Sequence, residues 1–430
     1  GTNLGSFTNR TYHWDPVEIM REFIQQMKNA GLVEEIKEPV SGIKAAERAF
    51  HTNKMLEFAD MEGHPCVMNT IFDRDSLSVA LGIPKDQLVK TLAACTYAGK
   101  TRDAGKLEFG PADLTKIPVM KHFPKDAGKY LTSGIVFSAW NGVTNASIHR
   151  MQVLDKNHLV GRIVEGRHTY KLMKQAFSEG KKLPIAITIG THPAVTFAAS
   201  TRVPEGKEMQ YAAEILGKEL DLFTCPNGIQ VPDAEIVLYG YLTEKLHEEG
   251  PFVDISGTYD PIRMQPVIEL QGMFTKKDFI YHGLVPAGAE HKMLMGAPYE
   301  PRIYQSVAGV TNVKDVYLTP GGAGYFHAVV QIKKMTEGDG KNAIMAAFSA
   351  HTSLKHVVIV DEDINIYDPS DVEFAIATRV RADQDVMVIS GVRGSSLDPC
   401  RMGDGMNVKA GIDATMPLGS KDEFIRAGWD

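Results

Sequence analysis

The sequence predicts an α/β (α+β) fold in a chain of three parts. A length of 430 residues is too great for one hydrophobic core. The middle of the chain is a series of short β-rich runs separated by Gly, Pro, Asn and Asp, whereas both ends alternate helical and strand-like segments. We therefore predict an N-terminal α/β domain at 1–105, a central β-barrel or sandwich at 106–300 and a C-terminal α/β domain with a tail at 301–430.

The N-terminal part begins with an amphipathic helix. Asp15-Pro16 supplies an N-cap and a first-turn proline, and apolar residues then recur at helical spacing as far as Gly31. We expect a strand at 66–68 and a second helix at about 86–98.

The central part is predicted to be mainly β-structure with a few inserted helices. The predicted strands are 135–137, 147–154, 159–164, 185–189, 235–242, 265–270 and 279–282, and the predicted helices are 167–180, 195–200 and 209–217. The polar residues 155–158 are typical of a hairpin turn.

The last third returns to alternation of helices and strands. The predicted strands are 313–318, 326–333, 356–361 and 386–389, and the predicted helices are 342–349 and 370–378. The unbroken apolar run at 357–360 is what a sheet covered on both faces needs. The tail, 400–430, is rich in Gly, Met and charge, and is expected to be irregular or to dock a partner.

Composition excludes several classes of protein. A net charge of −7 and a pI near 6.1 argue against a general affinity for nucleic acid or an anionic membrane. No apolar run approaches the ~20 residues of a membrane helix, and residues 1–5 lack the features of a secretory signal. The four cysteines have no paired spacing, so neither a zinc site nor a disulfide framework is indicated, and a cytoplasmic location is expected.

Two acids and an arginine form the first candidate site. Glu249 and Asp254 flank a Gly-Pro bend, so their side chains can converge only through that bend. Arg150 lies about a hundred residues earlier in a strand-like run. An arginine between two carboxylates can keep one acid ionised while the other donates a proton, which indicates proton-transfer chemistry on an anionic substrate. Taken singly, the same residues are equally typical of a solvated acidic loop and a structural salt bridge.

A second candidate site is a set of metal ligands. Asn145, His168 and Glu208 offer an amide oxygen, an imidazole and a carboxylate, which suit Mn²⁺ or Mg²⁺ at a phosphate better than zinc. Their spacing forms no motif, and in a chain with 14 histidines any one is more often packed or exposed than a ligand. No phosphate-binding glycine loop and no nucleophile elbow are found.

An ordered set of motifs runs along nearly the whole chain. They are Asn145-x-Ser147-Ile148-x-Arg150, Lys156-Asn157-x-Leu159, Val203-Pro204-Glu205-Gly206, Val231-Pro232-x-x-Glu235-Ile236-Val237-Leu238-x-Gly240, Glu249-Gly250-Pro251-Phe252-x-Asp254, Val358-Ile359-Val360-Asp361 and Lys409-x-Gly411-Ile412-Asp413-Ala414-Thr415. Through these motifs the chain resembles the UbiD family of decarboxylases. That family uses prenylated FMN to remove or add a carboxylate on aromatic, heteroaromatic and α,β-unsaturated acids.

The resemblance implies a fold and a set of catalytic residues. The central part would be a split β-barrel of the flavin-reductase type that carries the cofactor. Arg150, Glu249 and Asp254 would be catalytic, with Glu249 the proton donor and Arg150 holding the substrate carboxylate; family members carry either glutamate or aspartate at the position of Asp254. The reaction would be a reversible, non-oxidative decarboxylation. A carboxylase, a carboxylase-complex subunit and a prenyl-flavin-binding protein with no decarboxylation of its own remain as alternatives.

The resemblance also implies ligands and partners. Mn²⁺ (or Mg²⁺) would be held by Asn145, His168 and Glu208, and K⁺ or Na⁺ by carbonyls near Ser200. The expected cofactor contacts are Asn145, Ser147, Ile148, Arg150, Arg167, His168, Ala199, Ser200, Thr201 and Glu208. Ser349, with His351 nearby, stands where members usually have a basic phosphate contact. A flavin prenyltransferase would supply the cofactor, and the chain would form a homodimer or homohexamer.

The substrate is expected to be a small carboxylic acid. In relatives the pocket is lined by segments that correspond to 290–295 and 389–397. Cationic candidates there are His291, Lys292, Arg302 and Arg393. They favour a second anionic group on the substrate, as in furan-2,5-dicarboxylate or a phosphorylated enoic acid, unless they are surface or subunit-contact charges.

Overall fold

A computed structural model of the protein describes residues 18–429. These residues form two compact units, 18–83 with 95–294 and 84–94 with 295–429. The predicted α/β class is confirmed, whereas the division into three domains stays a prediction. The predicted helix start at Asp15-Pro16 lies outside the described residues.

The helices and strands follow one another along the whole described chain. The helices are α1 (Ile19–Asn29), α2 (Gly42–Phe50), α3 (Arg74–Leu81), α4 (Leu88–Ala93), α5 (His168–Ser178), α6 (Pro193–Ala199), α7 (Glu208–Leu216), α8 (Ala289–Gly296), α9 (Glu300–Ala308), α10 (Asp339–Ala350), α11 (Pro369–Arg379) and α12 (Ala382–Asp385). The strands are β1 (Val33–Ile36), β2 (Met55–Met61), β3 (His64–Met68), β4 (Thr101–Lys106), β5 (Tyr130–Leu131), β6 (Ile135–Trp140), β7 (Val143–Ile148), β8 (Met151–Asp155), β9 (His158–Gly161), β10 (Leu183–Ile189), β11 (Leu220–Thr224), β12 (Gln230–Pro232), β13 (Ile236–Glu249), β14 (Phe252–Val253), β15 (Tyr259–Asp260), β16 (Arg263–Thr275), β17 (Tyr281–His282), β18 (Asn312–Leu318), β19 (His327–Lys333), β20 (His356–Val360), β21 (Val386–Arg393) and β22 (Met406–Ala414). Short 3₁₀ turns occur at Lys85–Gln87, Leu114–Lys116, Ala297–Tyr299, Pro320–Gly322 and Leu418–Phe424.

The first unit is built on an eight-stranded antiparallel sheet. Its strand order is β5-β8-β9-β16-β13-β10-β6-β7, and this curled sheet fits the expected half-barrel of the flavin-reductase type. Alternate residues of β10, among them Ile185, Ile187 and Ile189, are fully buried in its core. A mixed sheet, β1-β2-β3-β17, carries α1 to α3 beside it, and a smaller sheet, β12-β11-β4, completes the unit.

The second unit is a five-stranded sheet in the order β18-β19-β20-β22-β21. Strand β20 is parallel to both of its neighbours, and Val357 to Val360 are buried because helices cover both faces, as the apolar run predicts.

Three sequence predictions need correction. The predicted strand 147–154 is two strands, β7 and β8, interrupted at His149 and Arg150. The helix expected at 86–98 ends at Ala93, and Tyr97 has a left-handed φ of 61° that no helix contains. The supposedly irregular tail contains β22, which lies inside the sheet.

The polar composition of β22 explains why it was missed. Its buried positions carry Asn407, Lys409, Gly411 and Asp413 in place of apolar residues. The Nζ of Lys409 donates to two main-chain carbonyls, at 2.6 and 2.5 Å, so its burial is compensated by hydrogen bonds.

None of the helices in residues 18–429 has the length and apolar character that a bilayer crossing requires.

Candidate active site

Arg150 lies at the centre of a buried cluster of carboxylates. It occupies the short link between β7 and β8, and its side chain is 9% exposed. Its guanidinium is 2.8 Å from Glu249 and 3.1 Å from Asp254, the two acids that the sequence picks out. Although burial opposes the charge, the surrounding carboxylates raise the pKa of Arg150 above its usual value, so it is a permanent cation.

The path of the chain explains how the two acids converge. Glu249 is the last residue of β13, and Gly250 follows with φ +96°, a left-handed conformation that suits glycine. The chain reverses there into β14, and Asp254 follows directly, so both side chains reach the same guanidinium from opposite sides of the bend.

Glu249 has a second partner that the sequence did not indicate. The hydroxyl of Tyr130 donates to its Oε2 at 2.7 Å, and the Glu249 side chain is fully buried. Burial, followed by the nearby Glu249 charge, raises the pKa of Tyr130, so the phenol keeps its proton and acts as a donor. The ring of Tyr130 packs on Phe252 with centroids 4.1 Å apart, and Phe252 also lies 5.0 Å from the Arg150 guanidinium. Glu249 is therefore held at both oxygens.

The cluster continues through a third carboxylate. Asp260 accepts from Arg150 at 2.9 Å and from Arg263 at 2.6 Å. Burial opposes its ionisation, but these two arginines lower the pKa of Asp260 below its usual value. Neither Asp260 nor Arg263 was a sequence candidate, because Asp260 is 110 residues from Arg150 in the chain and Arg263 joins the cluster only through Asp260.

The predicted metal ligands are placed on three neighbouring elements. Asn145 lies on β7, His168 is the first residue of α5, and Glu208 is the first residue of α7. The amide of Asn145 donates to Thr169, the residue after His168, at 3.1 Å. The carboxyl of Glu208 accepts the backbone N–H of Ala146, the residue after Asn145. The fold thus brings these three positions, far apart in sequence, to one end of β7.

The carboxyl group of Glu208 is buried. It is 6% exposed and burial raises its pKa to about 7. His168 is exposed and available. Within residues 18–429, no group of three His, Cys, Asp or Glu side chains is placed to hold a metal. A site here therefore depends on the oxygen of Asn145, and an amide, an imidazole and a carboxylate suit a hard divalent cation.

The other expected flavin contacts lie around this end of β7. Ser147 bonds to His149 at 2.8 Å and to Thr169 at 3.0 Å, and Ile148 ends the strand. Arg167 is exposed and directly precedes α5. Ala199, Ser200 and Thr201 form the C-terminal end of α6, where main-chain carbonyls gather as a monovalent cation would require.

The residues expected to bind a second anionic group of the substrate are found in both units. Burial lowers the pKa of His291, the nearby Asp254 charge opposes this, and the charges of Arg150 and Lys292 lower it further, so His291 is neutral at pH 7. Its Nδ1 accepts the N–H of Ala287 at 2.8 Å. Arg302 and Arg393 belong to the second unit, where the guanidinium of Arg302 lies 6.0 Å from the ring of Tyr299. Ser349, also in that unit, bonds to the carbonyl of Ala346 at 2.8 Å.

A cavity of about 750 Å³ adjoins Arg263, whose guanidinium donates to Asp260 of the carboxylate cluster. Arg162 and Arg263 line it together with Lys174 of α5 and apolar side chains that include Tyr170 and Leu246. No sequence signal singled out Arg162, which lies in a loop between β9 and α5.

Three family models match consecutive parts of the chain. The N-terminal domain of 3-octaprenyl-4-hydroxybenzoate carboxy-lyase matches residues 24–96, its Rift-related domain matches 100–289 and its C-terminal domain matches 292–414.

Known proteins are similar to the chain over most of its length. The anhydromevalonate phosphate decarboxylase of Methanosarcina mazei is 52% identical, with 95% of this chain and 98% of that protein covered. The gallate decarboxylase of Lactiplantibacillus plantarum is 33% identical, with 71% and 69% covered. The structure of the UbiD-class enzyme HmfF from Pelotomaculum thermopropionicum in complex with FMN has a TM-score of 0.91 at 34% identity, with 95% and 97% covered.

Proposed function

The chain belongs to the UbiD family and is a carboxy-lyase, and we propose that it decarboxylates a phosphorylated α,β-unsaturated acid, anhydromevalonate phosphate, with prenylated FMN as cofactor. The observation that carries the reaction type is the buried Arg150 guanidinium bound between Glu249 and Asp254. The substrate is proposed from the 52% identity to the Methanosarcina mazei enzyme.

The residues present fit a flavin phosphate with a divalent cation. Asn145, His168 and Glu208 would hold Mn²⁺ (or Mg²⁺), because an amide oxygen, an imidazole and a buried carboxylate suit a hard divalent cation. The Nε of Arg150 is buried without a hydrogen-bond partner among the described residues. This is expected if it donates to an acceptor on the cofactor or the substrate. When bound, prenylated FMN supplies an electron sink for the carbon that loses carbon dioxide.

Ser147, Ile148 and Arg167 would complete the flavin contacts. The carbonyls of Ala199, Ser200 and Thr201 would hold K⁺ or Na⁺. A hard monovalent cation prefers such uncharged oxygen ligands at a helix C-terminus, where the dipole is negative. A flavin prenyltransferase would supply the cofactor, and a homodimer or homohexamer is the proposed assembly.

Arg150 orients the substrate carboxylate, and Glu249 supplies the proton. The carbon–carboxylate bond breaks, carbon dioxide leaves, and Glu249 protonates the carbon that carried it, which forms the new carbon–hydrogen bond. Glu249 is then reprotonated from solvent for the next turnover. Tyr130 and Arg150 each hold one oxygen of Glu249, which fixes the direction of its proton.

The charges around Arg150 support this assignment. Asp254 and Asp260 both pair with Arg150, and Asp260 also pairs with Arg263. Arg150 therefore has ion-pair partners besides Glu249. Asp254 and Asp260 keep the guanidinium in place when the substrate binds.

The proposal is tested with protein co-expressed with a flavin prenyltransferase. We expect anhydromevalonate phosphate to lose carbon dioxide and to give a five-carbon alkenyl phosphate, followed by ³¹P NMR. In D₂O the product should carry one deuterium at the former carboxylate position. Turnover of gallate without turnover of the phosphorylated acid would contradict the proposed substrate. Bound flavin without turnover of either acid would favour a flavin-binding protein, and ¹³C-bicarbonate incorporation into the product by the chain alone would show how readily it runs as a carboxylase.

A further inference from the structure

We propose that Arg162 is the subsite for the second anion of the substrate and binds the phosphate ester while Arg150 binds the carboxylate. This inference rests on the proposed function, because only a substrate with two anionic ends needs a second cation. It replaces His291, which is neutral at pH 7 since burial lowers its pKa.

The backbone places Arg162 beside Arg150 on the same face of the sheet. Met151 and Gly161 are opposite each other in the β8–β9 ladder, and the next pair outward is Arg150 with Arg162. The N–H of Arg162 donates to the carbonyl of Arg150 at 3.1 Å. Opposite residues of an antiparallel pair project to the same side, with Cα atoms roughly 5.5 Å apart. The side chains of Arg150 and Arg162 are therefore on the same side of the sheet.

The main chain at Arg162 is fixed from three directions. Besides the bond to Arg150, its carbonyl accepts from His149 Nδ1 at 3.1 Å, and the N–H of Ile163 donates to Gln265 Oε1 at 2.8 Å. Burial lowers the pKa of His149 to about 4, so this imidazole is a neutral donor. A cation on a fixed backbone is preorganised, and less entropy is lost when an anion binds to it.

The guanidinium of Arg162 has no acidic partner within ion-pair distance in the described chain, whereas those of Arg150 and Arg263 are both paired. Burial lowers the pKa of Arg162, the charges of Arg263 and Arg150 lower it further, and those of Asp260 and Glu249 oppose this. A bound phosphate would give this guanidinium the close anionic partner that it lacks among the described residues.

Arg162 also has space for a ligand beside it. It lines the cavity of about 750 Å³, within the usual range for small-molecule sites. Arg263 lines the same cavity and donates to Asp260, so the cavity wall is continuous with the Arg150 cluster. Lys174 adds a third cation, opposed by Glu165 and Glu244 of the lining. Arg150 and the other expected flavin contacts lie outside this lining, so a substrate held by Arg150 would extend past Arg263 to reach Arg162.

The test compares two substrates in the Arg162→Gln variant of the flavin-loaded enzyme. We expect kcat/KM for anhydromevalonate phosphate to fall roughly 10- to 100-fold, the loss of one or two charged hydrogen bonds. The value for the unphosphorylated acid should stay near that of the unchanged protein. Arg162→Lys should recover part of the loss, because it keeps the charge without the planar fork. Lys171→Gln is the matched control. It also removes one positive charge, but from an exposed residue of α5 that does not line the cavity.

Two results would overturn the inference. One is an equal fall in kcat/KM for both acids. The other is a fall in the flavin absorbance of purified Arg162→Gln protein, which would assign the arginine to the cofactor. If the unchanged enzyme converts neither acid, the proposed function fails separately. Calorimetry with inorganic phosphate and the flavin-loaded protein then decides: weaker binding by Arg162→Gln supports the anion subsite, and equal binding by both proteins overturns it.

Discussion

Removing the hydroxyl of Tyr130 changes a single oxygen atom of the candidate active site. Tyr130→Phe removes only the hydroxyl that donates to Glu249 Oε2 at 2.7 Å. The phenyl ring keeps its packing on Phe252, where the centroids are 4.1 Å apart, so no cavity forms. Glu249 keeps its bond to Arg150 at 2.8 Å but loses the restraint on its second oxygen.

The size of the effect follows from that bond. Leaving a buried acceptor without its donor costs about 1–3 kcal/mol, and each 1.4 kcal/mol corresponds to about a tenfold change in rate. We therefore expect kcat to fall roughly 10- to 100-fold. KM should change little, because Tyr130 touches the proton donor and Arg150 still holds the carboxylate.

The assay is steady-state decarboxylation with flavin content measured in the same preparation. Tyr259→Phe is the control, since Tyr259 is 41% exposed and its hydroxyl accepts the N–H of Lys125 at 3.2 Å. A Tyr130→Phe variant with unchanged kcat would refute the role given to this hydroxyl. So would a variant whose lost activity is explained by lost flavin.

Further predictions address the cation site, the third carboxylate and the buried histidines. His168→Ala should weaken Mn²⁺ and flavin retention, measured by metal analysis and absorbance, whereas His158→Ala, at an exposed ion pair with Asp155, should not; equal losses would contradict the ligand set. Asp260→Asn should lower kcat/KM by roughly 10-fold with flavin retained, because the charged bond to Arg150 is weakened; an unchanged value would remove Asp260 from the site. Burial lowers the pKa of His122 to about 3 in the folded protein. Below a pH of about 6.5 this histidine is therefore protonated only in the unfolded chain. The free energy of unfolding should fall by about 2 kcal/mol between pH 7 and pH 5 as a result. Urea unfolding should show a smaller drop for His122→Gln, and an equal drop would contradict this cause.

Local patterns in the sequence were enough to predict much of the fold. Helices with a clear apolar face and a marked start, such as α5 and α11, lie within two residues of their predicted bounds. The polar turn at 155–158 joins β8 to β9 as predicted. Strand β22 was missed because its buried positions are polar, and the hydrophobic alternation that marks a strand is absent there.

The candidate site was predictable only where its residues share a short segment. The Gly-Pro bend links Glu249 and Asp254 within one loop, so their convergence could be foreseen. Tyr130, Asp260 and Arg162 reach the same cluster from other strands, and nothing in their own neighbourhoods indicates it. Strand alternation alone separates Ser147 from Arg150, and the break between β7 and β8 that turns Arg150 toward the acids has no sequence signature.

The proton donor is the central point, and Glu249→Gln tests it most directly. This substitution keeps the shape of the side chain and an oxygen for Arg150, but it cannot deliver a proton to carbon. We expect turnover of anhydromevalonate phosphate to be lost while the flavin absorbance of the purified protein is unchanged. Near-normal turnover by Glu249→Gln, with flavin bound, would show that the proton comes from another group.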